Sequence, residues 1–76
     1  MQQRPDYLRP QDWLDQIFSS KSAMSGGVVR RKVRDVEDLV GRSLFRDELR
    51  KRGYRAVENN GTFVIFCNRA PIRVLE

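Results

Sequence analysis

Arginine-rich clusters are the part of this sequence whose residue types and spacing could bind a ligand. Four of the five positions in residues 30–34 are cationic, and a second group of arginines spans residues 42–55. The planar guanidinium group offers paired donors to phosphate, so the pattern predicts contact with a phosphate backbone. A solvated charged face is the alternative interpretation, with helical ion pairs such as Glu48–Arg52 and Asp47–Lys51. The predicted nucleic-acid-binding residues are Arg30, Arg31, Lys32, Arg34, Arg42, Arg46, Arg50 and Arg55.

Catalytic chemistry has little support in the sequence. The chain has no histidine, so the commonest base that activates a nucleophile is missing. Its one cysteine, Cys67, lies in an apolar segment, where inert packing is the expected role. Neighbouring carboxylates such as Glu37 and Asp38 lie near predicted helix starts, and helix electrostatics explain them there. The sequence therefore predicts a non-enzymatic protein with no metal site and no cofactor.

An apolar stripe near the N-terminus supports a different class of function. Four side chains recur there at helical spacing: Trp13, Leu14, Ile17 and Phe18. In the alternative hypothesis they bind in the groove of a protein partner, as the amphipathic helix of an interaction module or adaptor. We favour the simpler interpretation, in which this helix packs against the chain's own sheet.

Length and charge limit the class of protein further. The chain has 76 residues, which suits one small domain over 1–76, and its net charge is +5. Residues 27–76 carry the whole positive excess, which favours an acidic partner such as DNA or RNA, with codon bias toward arginine as the alternative. Neither a secretion signal nor a membrane-spanning run is recognisable, so we expect a cytoplasmic protein with no membrane partner.

Hydropathy and capping patterns define the elements that would position these residues. Pro10 suits a helix start, Asp35 suits a helix cap, and Gly53 suits a helix end. Serine and glycine dominate the segment between the first helix and the first strand. The predicted elements are a helix over 10–20, a flexible connector over 19–27, a strand over 28–33 and helices over 35–41 and 43–52.

The pattern is clearest in a β-hairpin over residues 54–67. Asn60-Gly61 is a strong signal for a two-residue type I′ turn, because both turn residues need positive φ. Such a turn places Asn59 opposite Thr62 and fixes the register of the two strands. Residues 72–75 form a third strand in one interpretation. The sequence thus predicts an α+β fold with a small antiparallel sheet.

The strand over 62–67 is apolar on both faces, so both faces need cover. We expect the helices over 35–52 to cover one face. The N-terminal helix, or a second copy of the chain in a homodimer, would cover the other. Stacking of nucleic-acid bases on Phe63 and Phe66 is a further hypothesis, although we favour packing of both rings in the core.

The order helix, strand, helix, helix, hairpin resembles that of a winged helix-turn-helix. In this resemblance residues 35–40 are the supporting helix, residues 43–52 are the recognition helix, and the hairpin turn is the wing tip. The resemblance implies that Arg42, Arg46 and Arg50 face DNA.

A second, local resemblance is to the helix and hairpin at the start of HicA-type toxins, which are small RNA-cleaving proteins with a double-stranded-RNA-binding-like fold. In that family the helix ends in a glycine and an aromatic residue, as Gly53-Tyr54 does here. The catalytic histidine of the family falls at the position of Phe63. The resemblance therefore implies an RNA-binding scaffold without RNA cleavage.

Overall fold

The first helix, α1, covers Pro10–Phe18 in the computed structural model, which describes residues 9–76. Residues 1–8 of the predicted domain lie outside the described residues. Pro10 stands at the first helical position, where its missing N–H is not needed. Asp12 accepts hydrogen bonds from the Arg9 side chain at 3.2 Å and from the Arg9 backbone N–H at 3.3 Å. These bonds lower the pKa of the Asp12 carboxyl and fix the start of the helix.

The segment predicted as a flexible connector is instead folded. Residues Lys21–Met24 form a one-turn helix, α2, and the Ser20 hydroxyl caps it by accepting from the Ala23 N–H at 3.4 Å. Ala23 is buried in the core. A serine-rich composition is compatible with this helix because serine caps helices as readily as it breaks them.

Strand β1 covers Val28–Lys32 and passes directly into helix α3, Val33–Leu39. The Val33 N–H donates to the carbonyl of Gly61 at 2.9 Å, and α3 begins two residues before the predicted start. Helix α4 covers Arg42–Arg52 and ends at Gly53 as predicted. The last turn of α4 carries three cations, which oppose the partial negative charge of that helix end.

The hairpin forms as predicted. Strands β2, Arg55–Asn59, and β3, Thr62–Phe66, pair antiparallel, with Asn59 opposite Thr62. The turn residues Asn60 and Gly61 have φ of 51° and 75°. Glycine adopts this backbone region without steric cost and asparagine tolerates it, which is why local turn chemistry decides the register.

The sheet has the strand order β1-β3-β2, and all its pairs are antiparallel. Its third strand is therefore β1, which pairs along the far side of β3, with Val29 opposite Ile65. The strand proposed over 72–75 does not form, since residues 67–76 contain no helix or strand. The chain is an α+β fold of helices and a three-stranded antiparallel sheet. No helix in the described part of the chain combines the length and apolarity of a membrane span.

One hydrophobic core joins all the longer helices to a single face of the sheet. Val29, Phe63 and Ile65 lie on that inner sheet face and are buried. Helix α1 contributes to the same cluster, so the prediction that it covers the second sheet face is wrong. The buried core residues are Leu14, Ile17, Phe18, Ala23, Val29, Val33, Val36, Phe45, Leu49, Phe63, Ile65 and Cys67.

Docking of α1 is testable with Leu14→Ala. The Leu14 side chain is 0% exposed, so its truncation removes apolar contacts and leaves a cavity beneath α1. We expect the free energy of unfolding to fall by about 3 kcal/mol, measured by urea denaturation. Gln16→Ala is the matched control on the exposed side of the same helix, with an expected change within about 0.5 kcal/mol. Equal effects of the two substitutions would contradict the docked position of α1.

Candidate nucleic-acid interface

Alternate residues of the three strands form an outer sheet face, opposite the core. The strand registers align these residues in cross-strand rows: Phe66 of β3 lies between Val28 and Arg55, and Val64 lies between Arg30 and Val57. The outer sheet face comprises Val28, Arg30, Lys32, Arg55, Val57, Asn59, Thr62, Val64 and Phe66.

An apolar stripe runs across the outer sheet face. Val64 and Phe66 are half-buried, and neither belongs to the core cluster or packs against it. Val28 and Val57 on the flanking strands are 36% and 44% exposed. No described helix supplies a side chain from the core cluster to this face, and its apolar side chains keep part of their surface exposed.

Cations flank the apolar stripe on both sides. Arg30 and Lys32 stand exposed on β1, and Arg55 stands exposed on β2. None of the three forms an ion pair with any other residue in the range 9–76. The nine residues of the outer sheet face include no carboxylate, so the three cations have no opposite charge among the residues of that face.

The exposed side of α4, called the α4 outer face, carries Arg46, Asp47, Arg50 and Lys51. An Arg50 guanidinium nitrogen lies 3.9 Å from a carboxylate oxygen of Asp47. Arg46 has no ion-pair partner within the described range. A carboxylate therefore lies among the cations of the α4 outer face, unlike those of the outer sheet face.

Arg42 was expected to face a phosphate, but its guanidinium group is already occupied. Its Nε donates to Glu37 at 2.7 Å, and one of its terminal nitrogens lies 3.2 Å from Glu58. The hydrogen bonds to Glu37 and Glu58 raise the pKa of Arg42. The same guanidinium lies 5.3 Å from the centre of the Phe63 ring. Arg42 therefore joins α3, α4 and the hairpin and offers little net charge to a ligand.

The remaining two predicted residues are separated from the outer sheet face. Arg31 lies on the opposite side of β1 from Arg30, is half-buried, and donates to the Arg30 carbonyl at 2.6 Å. Arg34 stands exposed on α3. The eight predicted cations thus do not form one surface, and only Arg30, Lys32 and Arg55 lie on the same sheet face.

A shallow groove of about 190 Å³ separates α4 from the edge strand β2. Arg42 and Arg46 stand on its helix side, and Val57 and Glu58 stand on its strand side. Glu58 already neutralises part of the charge of Arg42 there, so the groove is less suited to a phosphate than the outer sheet face. Within the range 9–76, no group of side chains is arranged to bind a metal ion.

The side chains of α1 that were the alternative, partner-binding site are largely buried. Leu14, Ile17 and Phe18 are at most 3% exposed because they form part of the chain's own core. Trp13 is half-buried and packs against the same cluster. These side chains cannot fill a partner's groove unless α1 leaves the fold, because they belong to the chain's own hydrophobic core.

Arg52 has a structural role that the helical pattern predicts only in part. Its Nε donates to Glu48 at 2.6 Å, which is the expected i,i+4 pair. Its terminal nitrogen also donates to Asp15 on α1 at 3.2 Å, and its guanidinium lies 4.8 Å from the centre of the Phe18 ring. Glu48, which is 3% exposed, accepts a second hydrogen bond from Gln11 at 3.2 Å. These contacts hold α1 against α4. The spacing of residues in the sequence does not predict such long-range contacts.

Phe63, which the local resemblance to HicA-type toxins sets at the position of their catalytic histidine, is buried. Its ring centre lies 4.9 Å from that of Phe45 in the core. A phenyl ring has no group that donates or accepts a proton, so Phe63 cannot take the role of that histidine. The chain matches no known family model, no curated protein and no solved structure.

The contribution of Arg52 to stability can be tested by comparison with Arg50, which lies on the same helix. Arg52→Ala leaves the buried Glu48 carboxylate without its charged partner, so we expect the free energy of unfolding to fall by about 2 kcal/mol. Arg50→Ala removes the same side chain from an exposed position and should change stability by less than about 0.5 kcal/mol. Urea denaturation measures both. Equal losses would mean that the contacts of Arg52 add nothing to stability.

The Cys67 thiol is expected to be inert. It is 3% exposed, and burial raises its pKa, so the reactive thiolate is rarer at neutral pH than for a free cysteine. A disulfide reagent should therefore label Cys67 slowly in buffer at pH 7 and rapidly in urea, where the thiol is exposed. Labelling is followed by absorbance, and rapid labelling of the folded protein would contradict its buried position.

Proposed function

We propose that this chain is a non-enzymatic nucleic-acid-binding module that contacts phosphates through the outer sheet face. The observation that carries the proposal is the separation of charge: that face holds three cations without an ion-pair partner in residues 9–76, and none of its nine residues is a carboxylate. Phosphate contacts by such cations release counterions and supply affinity that depends on salt and not on base sequence.

Distance supports joint action of these cations. Neighbouring strands lie about 4.8 Å apart and each residue advances about 3.3 Å along a strand, so Arg55 on β2 stands roughly 12 Å from Arg30 and roughly 16 Å from Lys32 on β1. The Debye length at physiological salt is about 8 Å, so these cations lie between one and two screening lengths apart. A flexible chain of phosphates can therefore interact with both edges at once.

The α4 outer face is the competing location for phosphate contacts. The element order of a winged helix-turn-helix would place Arg46 and Arg50 against DNA. Asp47 lies among those cations, and one of its carboxylate oxygens is 3.9 Å from a guanidinium nitrogen of Arg50. This negative charge repels phosphates, so the outer sheet face is the stronger candidate.

Two matched charge reversals distinguish the faces. The double variant Arg30→Glu/Arg55→Glu reverses two cations of the outer sheet face, and Arg46→Glu/Arg50→Glu makes the same change of net charge on the α4 outer face. We expect the first to lower the affinity for a labelled oligonucleotide at least about tenfold and the second to lower it by less than about threefold. Fluorescence anisotropy measures both.

The salt dependence gives a second readout of the same experiment. Three phosphate contacts to a single strand predict a slope of about −2 in log affinity against log salt, and the sheet variant should flatten that slope. Stronger weakening by the α4 variant would move the phosphate site to α4. Binding that ignores salt and both charge reversals would overturn the proposal.

A further inference from the structure

Phe66 is an aromatic residue on the face of the sheet that lies opposite the core. It lies on the outer sheet face of the central strand β3, half-buried and outside the core cluster, so the interpretation of this ring as core packing is wrong. Arg55 lies directly opposite it on β2, and Val28 lies opposite it on β1. An aromatic ring beside an unpaired guanidinium group can accept a flat, apolar group that belongs to an anionic ligand.

The layout of the outer sheet face restricts the shape of that ligand. Cations stand at both edges, and the apolar side chains Val64 and Phe66 lie between them. A suitable ligand must place anionic groups at the edges and apolar surface over the middle. A nucleic-acid strand with unpaired bases has both, because its phosphates alternate with planar bases that can turn toward the protein.

A duplex fits this layout poorly. Its bases are stacked inside the helix, so a flat sheet meets mainly phosphates and sugars. Such contact would lay charged groups over Val64 and Phe66 and would leave the apolar stripe without an apolar partner. The outer sheet face therefore favours a single strand.

A second copy of the chain is disfavoured on the same face. Two outer sheet faces packed together would bring Arg30, Lys32 and Arg55 of each copy into one interface, to which the nine residues of each face add no carboxylate. Burying like charges without partners is strongly unfavourable. An anionic membrane is a weaker fit because anchoring needs apolar side chains that protrude, whereas Val64 and Phe66 are half-buried.

We propose that the outer sheet face binds single-stranded nucleic acid, with an unpaired base stacked on Phe66 and phosphates held by Arg30, Lys32 and Arg55. The inference rests on the proposed function and adds the class of ligand. Affinity then has two parts: a salt-dependent part from the three cations and a base-dependent part from the ring.

Three ligands separate the two parts. They are an oligothymidylate of about 12 nucleotides, an abasic oligomer with the same number of phosphates, and a duplex of the same length, each with a fluorescent label. We expect the oligothymidylate to bind the full chain at least about tenfold more tightly than the other two, the size expected for a base stacked on an aromatic ring. Anisotropy is measured at low and at moderate salt.

Variants at Phe66 test the base-dependent part. Phe66→Leu should lower the affinity for oligothymidylate about tenfold and leave the affinity for the abasic oligomer unchanged, because only the stack is lost. Phe66→Tyr keeps an aromatic ring and should retain the wild-type ratio of the two affinities. Thermal unfolding followed by circular dichroism checks that each variant is folded. If Phe66→Leu does not fold, the three ligands on the wild-type chain decide alone.

The outcomes separate this inference from the proposed function. Equal affinity for the oligothymidylate and the abasic oligomer, or tighter binding of the duplex, overturns the single-strand inference and leaves phosphate binding in place. No binding of any of the three ligands overturns both. Capture by vesicles of anionic phospholipid, or self-association in sedimentation, without nucleic-acid binding also overturns both and identifies the other occupant of the face.

Discussion

The central strand β3 is apolar on both faces, whereas the helices within residues 9–76 cover only one of them. Helices α1, α3 and α4 all place buried side chains in the same cluster, on the side of Ile65. This arrangement places the buried apolar side chains in one core. A single core suits a short chain, because small domains bury a small share of their surface. The consequence is an outer sheet face on which Val64 and Phe66 have no cover from the core elements. Every candidate function of the chain has to account for that face.

Ion pairs that join the helices to each other and to the hairpin determine which cations are available to a ligand. Arg52 is used to hold α1 against α4, and Arg42 is used to hold α4 against the hairpin. A buried or shared guanidinium has its donors filled by carboxylates, so it cannot also bind a phosphate without a loss of stability. Counting arginines in a sequence therefore overstates the charge available for binding. Arg30 and Arg55 form no ion pair within residues 9–76, and they stand where no carboxylate of the sheet faces them.

Local chemistry was predictable from the sequence, and long-range pairing was not. The Asn60-Gly61 turn and the Gly53 helix end depend on backbone preferences of single residues, so the hairpin register and the end of α4 were predicted correctly. The partner of β1 depends on which strand lies beside β3, and hydropathy alternation alone does not specify it. Once β1 is paired with β3, Val29 faces the core, and the alternation of side chains along the strand therefore places Arg30 on the outer sheet face. The folding of α2 also depended on a tertiary contact, the burial of Ala23.

Protection of sheet edges is the simplest explanation of Arg30, Lys32 and Arg55, since charged residues on edge strands prevent two sheets from joining. Both β1 and β2 are edge strands, so that explanation accounts for the cations. It does not account for Phe66, because polar residues on the solvent side of β3 would protect the chain better and would expose less apolar surface. A face that repels copies of itself and still presents an aromatic side chain is better matched to a ligand with opposite charge and planar groups. The aromatic residue, and not the arginine content, is therefore the feature that separates a binding surface from a protected edge.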